Sequence, residues 1–239
     1  MNYNMDMKRI GTDYGGWKFK DCDSLYGSTI IAGGCGEDIS FDIGFASHYN
    51  AKVIMVDPTP RAVSHVRSVF ALLGNSAKTT YVEGGKQPTT SYDLTTLTQA
   101  NFEFIEKALW DCQDVVNFYP PPNIEHVSHS IGNWQGGFSK TGDHIKVETT
   151  TVKDIVDQYG INELELIKFD IEGAEIEVIE QMLKDNIFPK QILVEYDELQ
   201  VENDYSKQRH SRVNSSLLNS GYVIVNIDNI NNYSYVGKI

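Results

Sequence analysis

Positive charge is scarce in this chain. Its 239 residues carry 20 lysines and arginines against 33 aspartates and glutamates, a formal net charge of −13. That balance argues against a nucleic-acid partner, which wants a basic face, and it would repel an anionic membrane surface. Cysteine is scarcer still. Cys22, Cys35 and Cys112 are an odd number without CxxC spacing, so they imply neither a disulfide framework nor a zinc site, and they suit a reducing compartment. No run approaches the ~20 apolar residues of a membrane span. The opening MNYNMDMKRIGTDYGG lacks the apolar centre of a signal peptide. The expectation is a cytoplasmic protein, or a soluble piece of a larger cytoplasmic polypeptide, with no membrane insertion. Internal repeats and long low-complexity tracts are also missing.

What is present is ordinary globular material: 41% hydrophobic and 22% charged residues. A chain of this length fits one domain. We read residues 1–27 as an irregular or partly helical lead-in marked by Tyr14-Gly15-Gly16-Trp17, and 28–239 as the domain. Strands are expected at 29–32, 53–57, 102–105, 115–119, 164–170 and 191–196. Helices are expected at about 37–48, 61–73, 152–159 (capped among Thr149, Thr150 and Thr151), from near 172, and at 206–219. Gly74-Asn75, Gly160 and Gly221 stop three of them. Residues 222–227 and 233–236 pair as a hairpin through Asp228-Asn229. Residues 75–100 are a threonine-rich excursion. Asn123–Asp143, after Pro120-Pro121-Pro122, reads as a long functional loop. Strands alternating with helices imply an α/β fold with a largely parallel sheet, to which the hairpin adds one antiparallel edge strand.

The chemistry gathers where strands end. Gly33, Gly34 and Gly36 form a turn that lets the backbone approach a ligand without a clashing Cβ. About 20 residues on, the dinucleotide fingerprint places a carboxylate for ribose hydroxyls, and Asp57 stands there at the end of the second strand. Its plainer reading is a turn aspartate before Pro58. Glu37-Asp38 at the helix start would repel a pyrophosphate. S-adenosylmethionine carries a sulfonium and an ammonium and no phosphate, so the acidic turn favours it over a nicotinamide dinucleotide.

A second acidic constellation, Asp170-Ile171-Glu172-Gly173-Ala174-Glu175, follows the fourth strand. Asp170 should emerge at the lip where open α/β sheets place ligands. Glu172 and Glu175 fall in the first turn of the next helix, where acids also serve simple dipole stabilisation. Glu195, ending the fifth strand, shares the lip. In the long loop, Ser128-His129-Ser130 offers an imidazole suited to take a proton from an alcohol; His126, His144 and His210 have weaker claims. Mixed ligation by Asp170, Glu195 and His129 is chemically feasible, but no ligand spacing demands a metal, and none is expected.

These residues together resemble the FkbM family of S-adenosylmethionine-dependent methyltransferases. The likeness runs through YGGW at 14–17, GGCGEDISFD at 33–42, VDPTP at 56–60, VSHSI at 127–131, IKFDIEGAE at 167–175 and ILVEYD at 192–197. It spans most of the chain except 75–100, which is longer than the usual pattern. The resemblance implies a class I methyltransferase fold, a Rossmann-like three-layer sandwich whose seven-stranded, mostly parallel sheet has a reversed final strand. It also implies S-adenosylmethionine as cofactor. Gly34, Cys35, Gly36 and Asp38 would surround its methionine part, and Asp57 would hold the ribose, with Pro58 and Thr59 flanking. Ala108, Leu109 and Trp110 would lie beside the adenine. Tyr14 and Trp17 would close over the cofactor, unless Trp17 is ordinary core. Cys35 stands where the family has glycine, a minor departure because the backbone matters there.

Family members methylate hydroxyl oxygens, notably on sugars of glycans and glycolipids and on macrolide-type natural products. The expected activity is therefore O-methylation of a sugar or glycoconjugate acceptor, with His129, then Asp170, then Glu195 as candidate bases. Another small hydroxylated metabolite as acceptor, a non-catalytic module of the same fold and an NAD-dependent dehydrogenase stand as alternatives.

Overall fold

A computed structural model describes residues 6–123, 126–132, 134–136, 142–200 and 203–237. The chain opens with β1 (Met7–Ile10) and β2 (Trp17–Lys20), an antiparallel hairpin. The lead-in is thus a pair of strands rather than irregular or helical. Its second strand, WKFK, buries alternate residues, the period of a pleated strand, and this seats Trp17 and Phe19 in the core.

The main chain of elements then runs β3 (Thr29–Gly33), α1 (Ser40–Tyr49), β4 (Lys52–Val56), α2 (Pro60–Phe70) and β5 (Phe102–Ile105). A short sheet follows, from β6 (Ala108–Leu109), β7 (Val115–Phe118) and β8 (Ile145–Thr150), in the order β6-β8-β7. β8 takes in Thr149 and Thr150, which were read from sequence as candidate caps. Only Thr151 serves as the N-cap of α3 (Val152–Tyr159), its side chain accepting from the Asp154 N–H. Next come β9 (Leu166–Phe169), α4 (Glu175–Lys184), β10 (Gln191–Glu195), α5 (Asp204–Asn219), β11 (Tyr222–Asp228) and β12 (Asn232–Gly237).

Seven strands form the central sheet in the order β11-β12-β10-β9-β3-β4-β5. β10, β9, β3, β4 and β5 pair in parallel, whereas β12 runs antiparallel to both β10 and β11. This is the class I methyltransferase topology. The reversed strand is not at the edge as expected: β12 hydrogen-bonds to β10 and leaves β11 outermost.

Parallel strands covered on both faces read as near-continuous apolar runs, and TIIAG, KVIMV and LIKF bury nearly every residue. Alternate side chains feed two cores. Ile30, Ala32, Val53 and Met55 pack with α1, α2 and the β1–β2 hairpin. Ile31, Ile54, Ile167 and Ile192 pack with α3, α4 and α5. Three layers result, with the switch in strand order between β3 and β9 (the point where such sheets open a ligand crevice).

Two helices start later than their sequence periodicity suggests. α1 begins at Ser40 because Glu37 accepts the Gln87 N–H and bridges Lys86, tying the 75–100 excursion to the turn. α4 begins at Glu175 because Glu172 and Gly173 take φ +58° and +88°, outside the helical region.

Candidate active site

The site is built on the turn after β3. Gly34 adopts φ +80°, and a Cβ there would lie 1.7 Å from the Asp170 carbonyl oxygen. Only glycine allows β3 and β9 to close so tightly at their ends. Asp170 N–H donates to Gly33 O at 3.2 Å, completing the seam.

Asp57, at the end of β4, is 7% exposed. Its Oδ2 accepts from the Cys35 and Gly36 N–H groups at 2.8 and 3.1 Å, and its Oδ1 from the Thr59 N–H at 2.8 Å. Charge-assisted bonds of this kind are among the stronger ones in proteins. They hold the glycine turn against β4. Asp38 does similar work on the other side. It accepts from Thr12 Oγ1 at 2.6 Å, the Ser40 N–H at 3.0 Å and Gln87 Nε2 at 3.4 Å. Lead-in, α1 and excursion therefore meet on one carboxylate. Tyr14 stands beside it, its ring against Gly85, where a Cβ would come within 2.3 Å of the ring.

These groups line one pocket at the carboxyl ends of β3, β4 and β9. Gly34, Cys35, Gly36, Asp38, Asp57, Pro58, Thr59, Ala108, Leu109, Tyr14, His129 and Asp170 all border it. Trp17, Trp110 and Glu195 do not. Trp17 is a core residue whose ring centroid lies 5.7 Å from Lys168 Nζ. Trp110 packs against the small-sheet cluster of Ala108, Phe118, Ile131 and Val147. Glu195 lies outside the pocket wall, its Oε1 accepting from Asn231 Nδ2 at 2.8 Å and Gln200 Nε2 at 3.3 Å.

The loop read as functional lies partly outside the described residues (124, 125, 133 and 137–141). Its described part reaches the pocket because Tyr119 and Ser130 exchange backbone hydrogen bonds at 2.9 Å. His129 stacks on Phe118 with centroids 5.6 Å apart, and its Nδ1 lies 3.0 Å from the Val127 carbonyl oxygen. A carbonyl only accepts, so Nδ1 carries a proton, which leaves Nε2 as the ring nitrogen able to accept one. His126 is exposed and His144 sits on Tyr119, while His210 of α5 packs on Tyr196.

Of the wall residues, Lys168 escaped the sequence reading and Glu172 was placed in the wrong element. Lys168, 4% exposed within β9, donates to the carbonyl oxygens of Gly34 at 2.5 Å and Gly33 at 3.4 Å, and lies 3.7 Å from Asp170 Oδ2. A lysine inside the apolar run LIKF was its signal, because lysine is almost never fully buried unless paired. Glu172 was assigned to a helix start but forms part of the wall. Burial and then Asp170 push its carboxyl up to about 7, and burial likewise raises Asp170 against the opposing Lys168 ammonium.

Chemically, the pocket offers a glycine cradle, an apolar plate from Ala108, Leu109, Phe118 and Ile131, and carboxylates from Glu37, Asp38, Asp57, Asp170 and Glu172. Lys168 is the one lysine or arginine lining it among the described residues, and the glycine carbonyls engage it. That donor set fits an adenosine bearing positive charge and disfavours a pyrophosphate. Among the described residues, no group of three or more His, Cys, Asp or Glu is arranged to hold a metal ion, and no helix is long and apolar enough to cross a membrane.

The family model described as the methyltransferase FkbM domain matches residues 40–224, well over half of the chain. Among solved structures, the fibrillarin pre-rRNA processing protein of Methanococcus jannaschii is similar at 11% identity and a TM-score of 0.43, covering 99% of this chain and 84% of that one. A likeness of that size adds nothing to the topology described above. No curated protein matches.

Proposed function

Because the chain belongs to the FkbM methyltransferase family, we propose that it transfers a methyl group from S-adenosylmethionine to a hydroxyl of a sugar in a glycan or glycoconjugate. One observation supports the donor side above all: acidic side chains crowd a glycine cradle whose single lysine among the described residues is already engaged. The donor supplies an electrophilic methyl and leaves as a neutral thioether, so each turnover removes one positive charge from the pocket and one proton from the acceptor.

In this reading the backbone of Gly34, Cys35 and Gly36, with Asp38, holds the methionine part. Asp57 holds the ribose. An ionised carboxylate offers about four lone-pair sites, and three already serve the N–H groups of Cys35, Gly36 and Thr59, leaving room for a hydroxyl. Ala108 and Leu109 take the adenine, flanked by Pro58 and Thr59, and Tyr14 covers the entrance. His129 receives the acceptor's hydroxyl at Nε2, with Asp170 on the opposite side of the same pocket. Glu195 acts on that wall from behind. Much of the rate should come from holding nucleophile and methyl in line, which alone can contribute several kcal/mol.

Residues 28–239 form the catalytic unit in this reading, and the lead-in up to 27 serves as its cover. Three free thiols suit a reducing compartment, and we place the reaction in the cytoplasm.

Incubation with isotopically labelled donor and a panel of free sugars, lipid-linked sugars and non-sugar alcohols tests the proposal. Label in a sugar product supports it. Label only in a non-sugar alcohol would replace the acceptor class and keep the reaction. His129→Ala should leave donor affinity intact while lowering turnover by about 100-fold or more; unchanged turnover removes the imidazole from the mechanism.

A further inference from the structure

The wall between β9 and α4 carries more acid than donor binding requires. Asp170 and Glu172 face the pocket, Glu175 opens α4, and Glu195 and Asp197 follow one another at the end of β10. Glu172 is held at φ +58°, a region few non-glycine residues enter. Its side chain accepts from Gln135 Nε2 at 3.4 Å and from Ser128, the neighbour of His129. Asp197 is 3% exposed, and its Oδ1 accepts from Gln200 at 3.2 Å. Among the described residues no donor reaches its Oδ2. Buried carboxyl oxygens are normally satisfied, and several carboxylates sharing one site cannot all ionise together.

The charges facing this group come from every side. Tyr14 lies on the lead-in side, Asp57 at the end of β4 beside Asp170, Glu195 and Asp197 after β10, and Glu175 on α4 beside Asp197. Lys168, from β9, is the cation beside Asp170.

Resting on the reading of the pocket as a methyl-donor site, we propose that Glu172 is where the acceptor's hydroxyl proton comes to rest, under control of the charge of the bound donor. A nearby cation favours the ionised carboxylate. With the sulfonium form bound, Glu172 is therefore an empty proton site. As the new C–O bond forms, the C–S electron pair leaves with sulfur, the O–H bond breaks, and the local positive charge disappears. The proton taken at His129 then has a carboxylate beside Ser128 whose affinity has just risen. No further reactant is needed, since one charge and one proton move per methyl.

The local electrostatics run the same way. Burial and Asp170 push Glu172 up to about 7, and burial with Asp170 and Glu172 pushes Glu195 up to about 8. Near neutral pH the free pocket accordingly keeps a proton that a cation can discharge.

Calorimetry in two buffers of different ionisation enthalpy, near pH 7, counts protons released on binding. S-adenosylmethionine should release more than S-adenosylhomocysteine, the difference approaching about one proton. Glu172→Gln should bind both ligands and lose most of that difference. Equal proton counts for the two ligands in the native chain, or a difference that survives Glu172→Gln, overturns the proposal. If the variant fails to fold, infrared difference spectra of the native chain decide. A protonated-carboxyl band must vanish with the sulfonium ligand and persist with the thioether. Failure of the native chain to bind either ligand would instead overturn the donor-site reading, and this inference with it.

Discussion

The two ends of the same parallel strands handle charge in opposite ways. At the amino ends of β9 and β10, Glu165 is 6% exposed, yet it accepts from Ser24 Oγ at 2.7 Å and from Lys190, which also reaches Glu163 at 2.9 Å. Gln191 closes that end by exchanging hydrogen bonds of 2.9 Å with the Lys20 backbone. Acid there has cation and donor within the chain. At the carboxyl ends, carboxylates outnumber the cations beside them, and Asp170, Glu172, Glu195 and Asp197 are all pushed up, in each case first by burial. Stability alone would not maintain such an imbalance, because unpaired buried charge is costly. On the donor-site reading proposed above, one end is completed by its own side chains and the other by a cation from outside.

Substitutions at the two ends test that contrast. The largest effect is expected of Asp57→Ala, which orphans three backbone N–H groups of the cradle. At about 1.5–3 kcal/mol for each hydrogen bond to a charged group, donor affinity should fall by at least about 100-fold, read by calorimetry. Native affinity would remove Asp57 from the site. Next comes Lys168→Met, which leaves Asp170 uncompensated and the Gly33 and Gly34 carbonyls without their donor. Breaking a fully buried pair costs about 3–5 kcal/mol, but Asp170 is 35% exposed and solvent screens the pair, so denaturant unfolding should show a loss at the lower end of that range.

Proton linkage gives a smaller, graded effect. The folded chain holds Asp42 at about 6, Glu172 at about 7 and Glu195 at about 8, all raised first by burial. Carboxyls in the unfolded chain titrate near 4, so between these limits the folded state binds more protons. The contribution of these groups is therefore complete below about pH 4 and lost as pH rises toward about 8. Melting temperature of the donor-free protein should decline from about pH 5 to about pH 8, and the stabilisation given by S-adenosylmethionine should grow over the same range. A flat profile would contradict the charge imbalance. The smallest effect belongs to Lys190→Met at the opposite end. Lys190 is half exposed and the buried Glu165 keeps Ser24 as a donor, so about 1–2 kcal/mol is expected, with donor affinity unchanged. A loss of donor binding there would erase the distinction between the two ends.

Much of this is legible in the sequence. The apolar runs of β3, β4, β9 and β10 announce buried parallel strands, and Gly160 and Gly221 mark where two helices stop. The cradle glycines and Asp57 are readable because local spacing alone specifies a strand, a turn and an acid. The β1–β2 hairpin and β8 were not. WKFK and IKVETT are short and half polar, so each is stabilised by the surface it packs on rather than by its own propensity. Glu172 misled for a related reason. An acid before an apolar stripe looks like a helix start, and the left-handed turn that puts it in the pocket wall arises from how β9 and α4 join.

By itself the sequence determined the strand–helix alternation, the glycine cradle and the acidity of the lip, because periodicity, missing Cβ atoms and excess carboxylates are properties of neighbouring residues. Which acids share a proton, which lysine clamps the cradle and which strand is reversed inside the sheet were decided only by the tertiary structure. Burial and through-space charge set those outcomes, and both depend on residues as far apart in the chain as Gly34 and Lys168.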